Sequence, residues 1–382
     1  MNLVRKSFEF LGSFGLACII LLLLMVLTFF GTIDQVHLSL FEVRQKYFES
    51  NLVFVSSMNI PLPGGFVVLS LLFVNLIVGG MLRMRWSWSR LGILVIHFGI
   101  ALMLVGSLIE FRTSKKGALR LTEGQSGAQF QSYDEWEVVI TEPLEGGRSR
   151  EYIVGHDRIR RLQGSKTTRF SADGLPFDVV LSGFLHNCQP VPSGDPSLGV
   201  DGYLLQELPR DKENSERDIA GISARVEGAP EGTQAGLLWG FQQEQWPVLS
   251  GGRAYALGIR KRTWPLPFTV HLRDFTHEVH PGTEVASRYS SDVTCVQNNV
   301  SQDVHISMNE PLRRDGFILF QSGYFGDRTS IFAVVENPAD QLPLISLVII
   351  ALGLLINFLP KLWKHVARNH AARSAAVAVP TT

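Results

Sequence analysis

Four long runs of apolar residues constrain this sequence more than any other feature. They cover residues 11–31, 65–82, 91–109 and 342–359, and His97 is the only His, Lys, Arg, Asp or Glu among them. A helix needs about 20 apolar residues to cross the hydrocarbon layer of a bilayer. Because backbone groups in lipid must be satisfied within the segment, each run is predicted to be helical. The sequence therefore predicts four transmembrane helices in a lipid bilayer, three of them within residues 1–111.

Basic residues predict how these helices are oriented. Arg5 and Lys6 precede the first run, the loop 83–90 carries three Arg and no acid, and the tail 360–382 carries Lys361, Lys364, Arg368 and Arg373 without an acid. Short loops rich in Lys and Arg remain in the cytoplasm. These three segments are predicted to lie inside. Loop 32–64 and residues 112–341 are predicted to lie outside, while Trp86 and Trp88 are interpreted as interfacial anchors.

Residues 112–341 have the composition of a soluble domain and the patterning of β-strands. Short alternating runs recur, bounded by Gly, Pro, Asn and Asp; they are Trp136–Ile140, Phe177–Leu181, Phe268–Leu272, Val304–Met308, Phe317–Gln321 and Ile331–Val335. Such patterning is typical of a β-sandwich or a distorted barrel. The predicted fold class is therefore a four-helix membrane protein with a large extracytoplasmic β-rich domain between its third and fourth helices.

An internal repeat lies within this domain. Residues 176–186 and 267–277 agree at six of eleven positions, 91 residues apart, and both place Phe, Val and Leu at alternate positions of one strand face. One reading is convergent strand patterning. The other is a domain built from two similar β-subdomains.

Several function classes find no support in the residues. The formal net charge is zero, so no basic field favours nucleic acid. Cys18, Cys188 and Cys295 form neither C-x-x-C nor C-x-x-C-H, and pairing of Cys188 with Cys295 is left open. The sequence His277-Glu278-Val279-His280 has the wrong spacing for a helical zinc motif, and no catalytic constellation is predicted.

His97 is the most informative residue, because ionisable groups within a span are costly and commonly functional. It lies about 9 Å along the helix from Leu91 at 1.5 Å per residue. Gly92, Gly99 and Gly106 form a seam about 160° away from it, suited to close packing against another helix. Ala101, one turn above, is interpreted as leaving room for a flat ligand. A neutral histidine hydrogen-bonded to another helix, an axial haem ligand and a proton relay are the alternatives.

Several segments carry a resemblance to a known family. They are Leu11–Ala17 and Gly31-Thr32 in the first run, His97-Phe98-Gly99 and Gly106 in the third, His280-Pro281-Gly282-Thr283, the run Met308–Phe317 with Asn309, Pro311 and Gly316, and Glu336-Asn337-Pro338. Over nearly its whole length, the chain resembles the ResB family of System II cytochrome c maturation. Asn309, Pro311 and Gly316 are interpreted as turn formers within the strongest of these motifs.

The resemblance implies a function, a ligand and partners. ResB-type proteins of the bacterial cytoplasmic (inner) membrane work with a tryptophan-rich ResC/CcsA-type partner, export haem b and present it for thioether attachment to apocytochrome c. The family's membrane histidine maps onto His97, which implies axial ligation of the haem iron there. The chain itself would then be a non-catalytic or co-catalytic subunit of a holocytochrome c synthase (haem lyase).

One departure from the pattern keeps a second hypothesis open. No tryptophan-rich outer segment occurs in this sequence, since Trp86 and Trp88 fall in the loop predicted to lie inside. The chain is therefore not predicted to be the fused single-protein form. The alternative function is a haem-free, membrane-anchored scaffold that holds the partner or an apoprotein.

Overall fold

The computed structural model describes residues 2–38, 40–55, 60–194, 199–211, 215–280, 282 and 286–377. The chain divides into two compact units. The first combines Met1–Ser114 with Asn337–Thr382, and the second is Lys115–Glu336.

The helices are α1 (Asn2–Leu11), α2 (Phe14–Asp34), α3 (Leu40–Val43), α4 (Gly65–Asn75), α5 (Leu91–Thr113), α6 (His156–Ile159) and α7 (Leu342–Val377), with π-helical segments π1 (Arg44–Phe48) and π2 (Leu76–Leu82). The strands are β1 (Leu52–Val55), β2 (Ile60–Pro63), β3 (Lys115–Thr122), β4 (Ser126–Pro143), β5 (Ser149–Val154), β6 (Thr167–Phe170), β7 (Asp178–Leu185), β8 (Cys188–Pro192), β9 (Tyr203–Glu207), β10 (Gly221–Glu227), β11 (Gln234–Trp239), β12 (Trp246–Ser250), β13 (Arg253–Val279), β14 (Ala286–Gln297), β15 (Val300–Ser307), β16 (Leu312–Arg314), β17 (Phe317–Phe325) and β18 (Thr329–Glu336).

The first unit contains the membrane-spanning segments. Within the described part of the chain, four helical segments are long and apolar enough to cross a membrane: Phe14–Asp34, Gly65–Leu82, Trp88–Thr113 and Leu342–Asn369. In sequence, the β-rich unit lies between the third and the fourth. The predicted fold class of four apolar helices with a β-rich domain between the third and fourth is therefore confirmed.

The ends of two predicted spans differ from the structure. The first span begins at Phe14 rather than at residue 11, because the Ser13 hydroxyl accepts a hydrogen bond from the Leu16 N–H and caps the helix. Residues before this cap form the separate helix α1. The helix α7, which contains the fourth span, continues through Pro360 as far as Val377, since the Ala-, Lys- and Arg-rich residues after the proline are strong helix formers.

The glycine seam of α5 packs against α7, as its spacing predicts. Gly92, Gly99 and Gly106 are all buried. A Cβ added to Gly92 would lie 2.6 Å from the backbone nitrogen of Asn357 and 2.7 Å from the carbonyl oxygen of Gly353. Because only glycine permits this approach, the seam fixes how closely the two helices lie.

The connection between the first two spans is a folded structure, although the sequence was interpreted as a loop there. It comprises α3, π1 and the β1–β2 hairpin around the buried ring of Tyr47. The Tyr47 hydroxyl donates to the Asp34 carboxylate at 2.9 Å, and Lys46 pairs with the same carboxylate at 2.6 Å. Burial and this carboxylate raise the pKa of Tyr47 to about 12.

The second unit contains two hydrophobic cores that share two long strands. In the first core, the sheet β11-β10-β7-β6 packs against the parts of β4 and β13 that carry Trp136 and Tyr255. The second core lies along the sheet β15-β14-β13-β4-β3-β18-β17-β16 and includes Phe130 of β4 and Phe268 of β13. Since β4 and β13 contribute to both cores, the cores form one continuous unit.

The second core has the form of a distorted barrel, one of the two predicted arrangements. The terminal strand β15 of its sheet also contacts β16 and β17 at the opposite end. A buried network crosses this region, because Ser291 of β14 donates to Gln321 of β17 at 2.8 Å and hydrogen-bonds Ser330 of β18 at 3.0 Å. These contacts bring the two ends of the sheet together.

The two copies of the sequence repeat lie in different cores. Phe177, Val179, Leu181 and Phe184 are buried in the first core, and their counterparts Phe268, Val270, Leu272 and Phe275 are buried in the second. Each copy also carries a register shift after its leucine, opposite Gly221–Ser223 in β10 and between Leu272 and Asp274 in β13. The copies thus share both their buried positions and their bulge.

Candidate functional site

His97 lies in α5, facing π2 of the second span. Its Nδ1 atom is 3.0 Å from the carbonyl oxygen of Gly80, and the ring is half-buried. The structure therefore contains the hydrogen bond to another helix that was one of the sequence-based alternatives for this residue.

The other ring nitrogen of His97 is Nε2. Among the described residues, none forms a hydrogen bond with it. A carbonyl oxygen only accepts, so in the neutral imidazole the bond to Gly80 requires the proton on Nδ1 and leaves a lone pair on Nε2. A neutral imidazole with one nitrogen held by a backbone carbonyl is the usual form of a histidine that binds a metal.

The absence of a Cβ at Gly80 explains how closely the imidazole of His97 approaches π2. A Cβ added at this position would lie 2.7 Å from Nδ1 and 3.0 Å from Cγ of His97. Real Cβ contacts are not this short, so glycine is required at position 80 if His97 is to keep its place.

The second span also contacts the residues that separate α1 from α2. A Cβ added to Gly79 would lie 2.6 Å from the Gly12 carbonyl oxygen. The buried side chain of Asn75 donates to the carbonyl oxygens of Leu11 at 2.7 Å and Ser13 at 3.1 Å. The adjacent residues Gly79 and Gly80 thus contact two different parts of the unit.

The prediction that Ala101 leaves open space beside His97 is wrong. Ala101 is only 6% exposed, so its side of α5 is covered by protein. The sequence showed a small residue there but could not show that a neighbouring element fills the space.

The residues of the strongest family-like motif lie at the end of the second core. Asn309 and Pro311 lie in the bend that joins β15 to β16. Asp315 and Gly316 form the two-residue turn between β16 and β17, with φ angles of 50° and 80°. Both residues adopt the left-handed conformation that a type I′ hairpin turn requires.

The histidines of the β-rich unit have local roles in the structure. His156 Nδ1 accepts a hydrogen bond from the Trp136 N–H at 3.2 Å, and burial lowers the pKa of this imidazole to about 4. His277 stacks on Tyr324 with 5.1 Å between ring centroids. Within the described residues, no group of three or more His, Cys, Asp and Glu side chains could hold a metal ion. Part of the His280-Pro281-Gly282-Thr283 motif lies outside the described residues.

The cysteines of the β-rich unit do not pair. Cys188 and Cys295 are both buried free thiols, in β8 and in β14. Burial raises the pKa of the Cys188 thiol to about 12 and also raises that of Cys295. Neither is therefore an activated nucleophile.

Sequence reasoning missed Gly80 and π2. The signal was the Gly79-Gly80 pair within the second apolar run, since small residues in spans mark close helix approach. The widening to π-helical geometry has no comparable signature in the sequence.

Comparison with known proteins finds a family that is similar to part of the chain. Residues 232–370 match the model of the ResB-like family. The matched region ends in α7 and does not include His97, which lies in the N-terminal part of the chain.

A curated relative extends the similarity. Protein NrfI of Wolinella succinogenes is 24% identical to the chain over 271 residues, which is 69% of the chain. The aligned region spans only 27% of the length of NrfI. The family resemblance predicted from the sequence is thus confirmed.

Proposed function

We propose that this chain is a haem-handling subunit in cytochrome c biogenesis. It acts as a non-catalytic or co-catalytic part of a holocytochrome c synthase, and it helps to export haem b for attachment to apocytochrome c. The match of residues 232–370 to the ResB-like family and the similarity to NrfI support a role in cytochrome c biogenesis. The haem-specific role rests on His97.

The proposal rests on the environment of the Nε2 atom of His97. It belongs to an imidazole within a span, its ring is fixed through Nδ1, and no described residue hydrogen-bonds it. Histidine is the usual protein ligand of haem iron, so this donor fits an axial position. His97 would hold the iron through Nε2, while Nδ1–H continues to donate to the Gly80 carbonyl oxygen.

A second membrane protein is needed to complete such a site. Within the described part of the chain, no other histidine lies in the segments that are able to span a membrane, apart from His365 near the end of the fourth. His365 lies beyond Pro360, outside the predicted span 342–359. We infer that a tryptophan-rich ResC/CcsA-type partner supplies the second axial ligand and most of the attachment surface.

The proposed orientation gives the haem a direction of travel. The Arg-rich loop 83–90 and the basic tail would lie in the cytoplasm, and the β-rich unit would lie on the periplasmic or outer side of the bacterial inner membrane. His97 is about 9 Å from the loop end of α5 at 1.5 Å per residue. It would therefore receive haem from the cytoplasmic half of the bilayer.

Complementation tests this function in cells. Cells that lack the chain would receive the wild type, His97→Ala or His97→Asn, and covalent haem in c-type cytochromes would be measured. The asparagine amide lies where Nδ1 does and is able to donate to Gly80, but it has no atom at the position of Nε2. Both variants should lose most covalent haem while the chain accumulates at wild-type levels. Full maturation with His97→Asn would contradict the proposal.

The second candidate function is a haem-free scaffold. The β-rich unit favours it, since this unit offers a large folded surface and, within the described residues, no metal-binding group. If maturation requires the β-rich unit but tolerates His97→Asn, the scaffold function explains the chain better.

A further inference from the structure

The end of the second span leaves backbone carbonyls in need of partners. The last helical hydrogen bond of π2 runs from the Arg83 N–H to the Val78 carbonyl oxygen at 3.0 Å. The Gly80 carbonyl lies two residues further on, in the final turn, where helix carbonyls have no intrahelical donor. In lipid, an unsatisfied backbone group costs several kcal/mol. A donor from a neighbouring helix is therefore required there.

His97 supplies that donor, and only one of its neutral forms is able to do so. The Gly80 oxygen accepts, so the proton must be on Nδ1 of the ring at 3.0 Å. We propose that Gly80 is the positioning residue of His97: its carbonyl holds the imidazole in the Nδ1–H tautomer and presents Nε2 as the ligating atom. That the ligand is haem iron rests on the proposed function; the tautomer does not.

Two features of Gly80 make it specific for this role. It has no Cβ, and an added one would lie within 3.1 Å of Nδ1, Cγ and Cε1 of the ring. It also lies in π2, whose i→i+5 bonding places its carbonyl past the last helical bond. Such π-helical segments are frequent at functional sites, because the altered geometry redirects backbone groups.

Gly79 provides a matched control, because it is the adjacent glycine and has a different neighbour. Its added Cβ would lie 2.6 Å from the Gly12 carbonyl oxygen, on the α1–α2 break. Gly79→Ala and Gly80→Ala therefore introduce the same methyl group into the same π-helical segment with similar crowding. The substitution at position 80 alone pushes against His97.

The decisive experiment is nitrogen NMR of the haem-free, full-length chain in lipid nanodiscs with ¹⁵N-labelled histidine. The His97 signals would be assigned by their loss in His97→Asn. The wild type and Gly79→Ala should show a protonated Nδ1 and an unprotonated Nε2. Gly80→Ala should lose this single tautomer. An Nε2–H tautomer in the wild type would overturn the proposal, and this result does not depend on the folding of any variant. Identical His97 signals in the wild type, Gly79→Ala and Gly80→Ala would also overturn it.

A second measurement separates this inference from the proposed function. In the complex with the partner, loss of a hydrogen-bonding group behind a ligating histidine typically weakens metal affinity about 10–100-fold. Haem should dissociate from the Gly80→Ala complex faster by about that factor, and from the Gly79→Ala complex at a rate close to wild type. If the NMR result holds but the complex contains no haem at His97, the haem function fails while the positioning role stands. Equal dissociation rates for the two alanine variants would contradict a role of Gly80 in ligation.

Discussion

His97 and His156 show how a backbone partner decides the chemistry of an imidazole. Nδ1 of His97 faces a carbonyl oxygen and must donate, whereas Nδ1 of His156 accepts from the Trp136 N–H. The two rings therefore carry their protons on opposite nitrogens when neutral. His97 keeps Nε2 available as a ligand, while His156 uses its lone pair within the fold.

Burial of His156 predicts a pH-dependent loss of stability. Its folded-state pKa is lowered from 6.5 to about 4, mainly by desolvation. The unfolded chain takes up the proton near pH 6.5 and the folded chain only near pH 4, so stability is full above pH 6.5 and falls as the pH drops towards 4. At 1.36 kcal/mol per pKa unit, the loss by pH 5 should be about 2 kcal/mol. Denaturant unfolding followed by tryptophan fluorescence measures it.

His156→Asn is the matched variant for this prediction. The asparagine side-chain oxygen lies near the position of Nδ1 and is able to accept from the Trp136 N–H, but it does not titrate. The variant should therefore lose less stability than the wild type between pH 7.5 and pH 5. Parallel losses in the two proteins would show that carboxylates, rather than His156, cause the acid sensitivity.

At the scale of residues, the sequence points to a residue type that is unusual for its surroundings. An imidazole within an apolar run is such a case, and His97 as a ligand stays a prediction. Gly80 was not recognised, because a glycine is common in transmembrane helices and its partner is distant in sequence. The prediction of open space beside Ala101 was wrong, because packing depends on neighbouring elements that the local sequence does not specify.

At the scale of elements, the α5–α7 contact predicts that alanine substitution lowers stability at one glycine and not at another. Gly92 is the second residue of α5, and Gly15 is the second residue of α2. An added Cβ at Gly92 would lie within 2.7 Å of two backbone atoms of α7, whereas one at Gly15 would have nothing within 4 Å. Because backbone atoms cannot rotate away, Gly92→Ala should destabilise the helical unit by about 1–3 kcal/mol.

Gly15→Ala should leave stability unchanged or slightly raised, since alanine is the better helix former. Unfolding of both variants in mixed detergent micelles compares them directly. Equal free energies of unfolding would show that α5 and α7 are not in close contact in the membrane.

The Asn309–Gly316 segment predicts a structural rather than a catalytic role. Gly316 adopts a φ of 80°, which alanine accommodates only with strain. Gly316→Ala should therefore lower the stability of the β-rich unit by about 1 kcal/mol, and Asn309→Ala should leave cytochrome c maturation near wild type. If Asn309→Ala abolished maturation while folding and partner binding remained intact, a direct functional role for this segment would follow.

Strands with a clear alternation of apolar and polar residues were predicted well. The alternating runs at residues 136–140, 268–272 and 317–321 all lie within strands β4, β13 and β17. The connection formed by residues 32–64 is predicted from the sequence to be a loop, because its core depends on a contact between Tyr47 and Asp34, which are distant in sequence. The π-helical segments were missed for a similar reason, since they are imposed by packing contacts.

At the scale of the whole molecule, the sequence predicted two β-subdomains as one reading of its repeat. The structure contains two cores, with one copy of the repeat in each. What the sequence could not show is that β4 and β13 run through both cores. Strand pairing is nonlocal, and a long strand reads as two short ones where a bulge or a proline interrupts its alternation.

The basic loops predict that the Arg-rich loop 83–90 lies in the cytoplasm and that the β-rich unit lies on the other side of the membrane. Gln206→Cys, close to Asp211 on the exposed surface of the β-rich unit, should react with an impermeant thiol reagent in intact cells. Ser87→Cys, exposed in the Arg-rich loop, should react only after the membrane is permeabilised. The wild type gives the background, since Cys188 and Cys295 are buried. Protection of Gln206→Cys would overturn the proposed topology.

The most direct test of the account is the haem content and visible spectrum of the purified complex. The chain would be isolated with and without its tryptophan-rich partner, as the wild type and as His97→Ala. Because the chain offers one imidazole within its predicted spans, it should bind little haem alone, and the wild-type complex should show a six-coordinate haem spectrum. His97→Ala should lower the haem-to-protein ratio and change that spectrum without unfolding the chain. An unchanged spectrum with full haem content in His97→Ala would contradict the account, and His97 would then be only a packed histidine that satisfies Gly80.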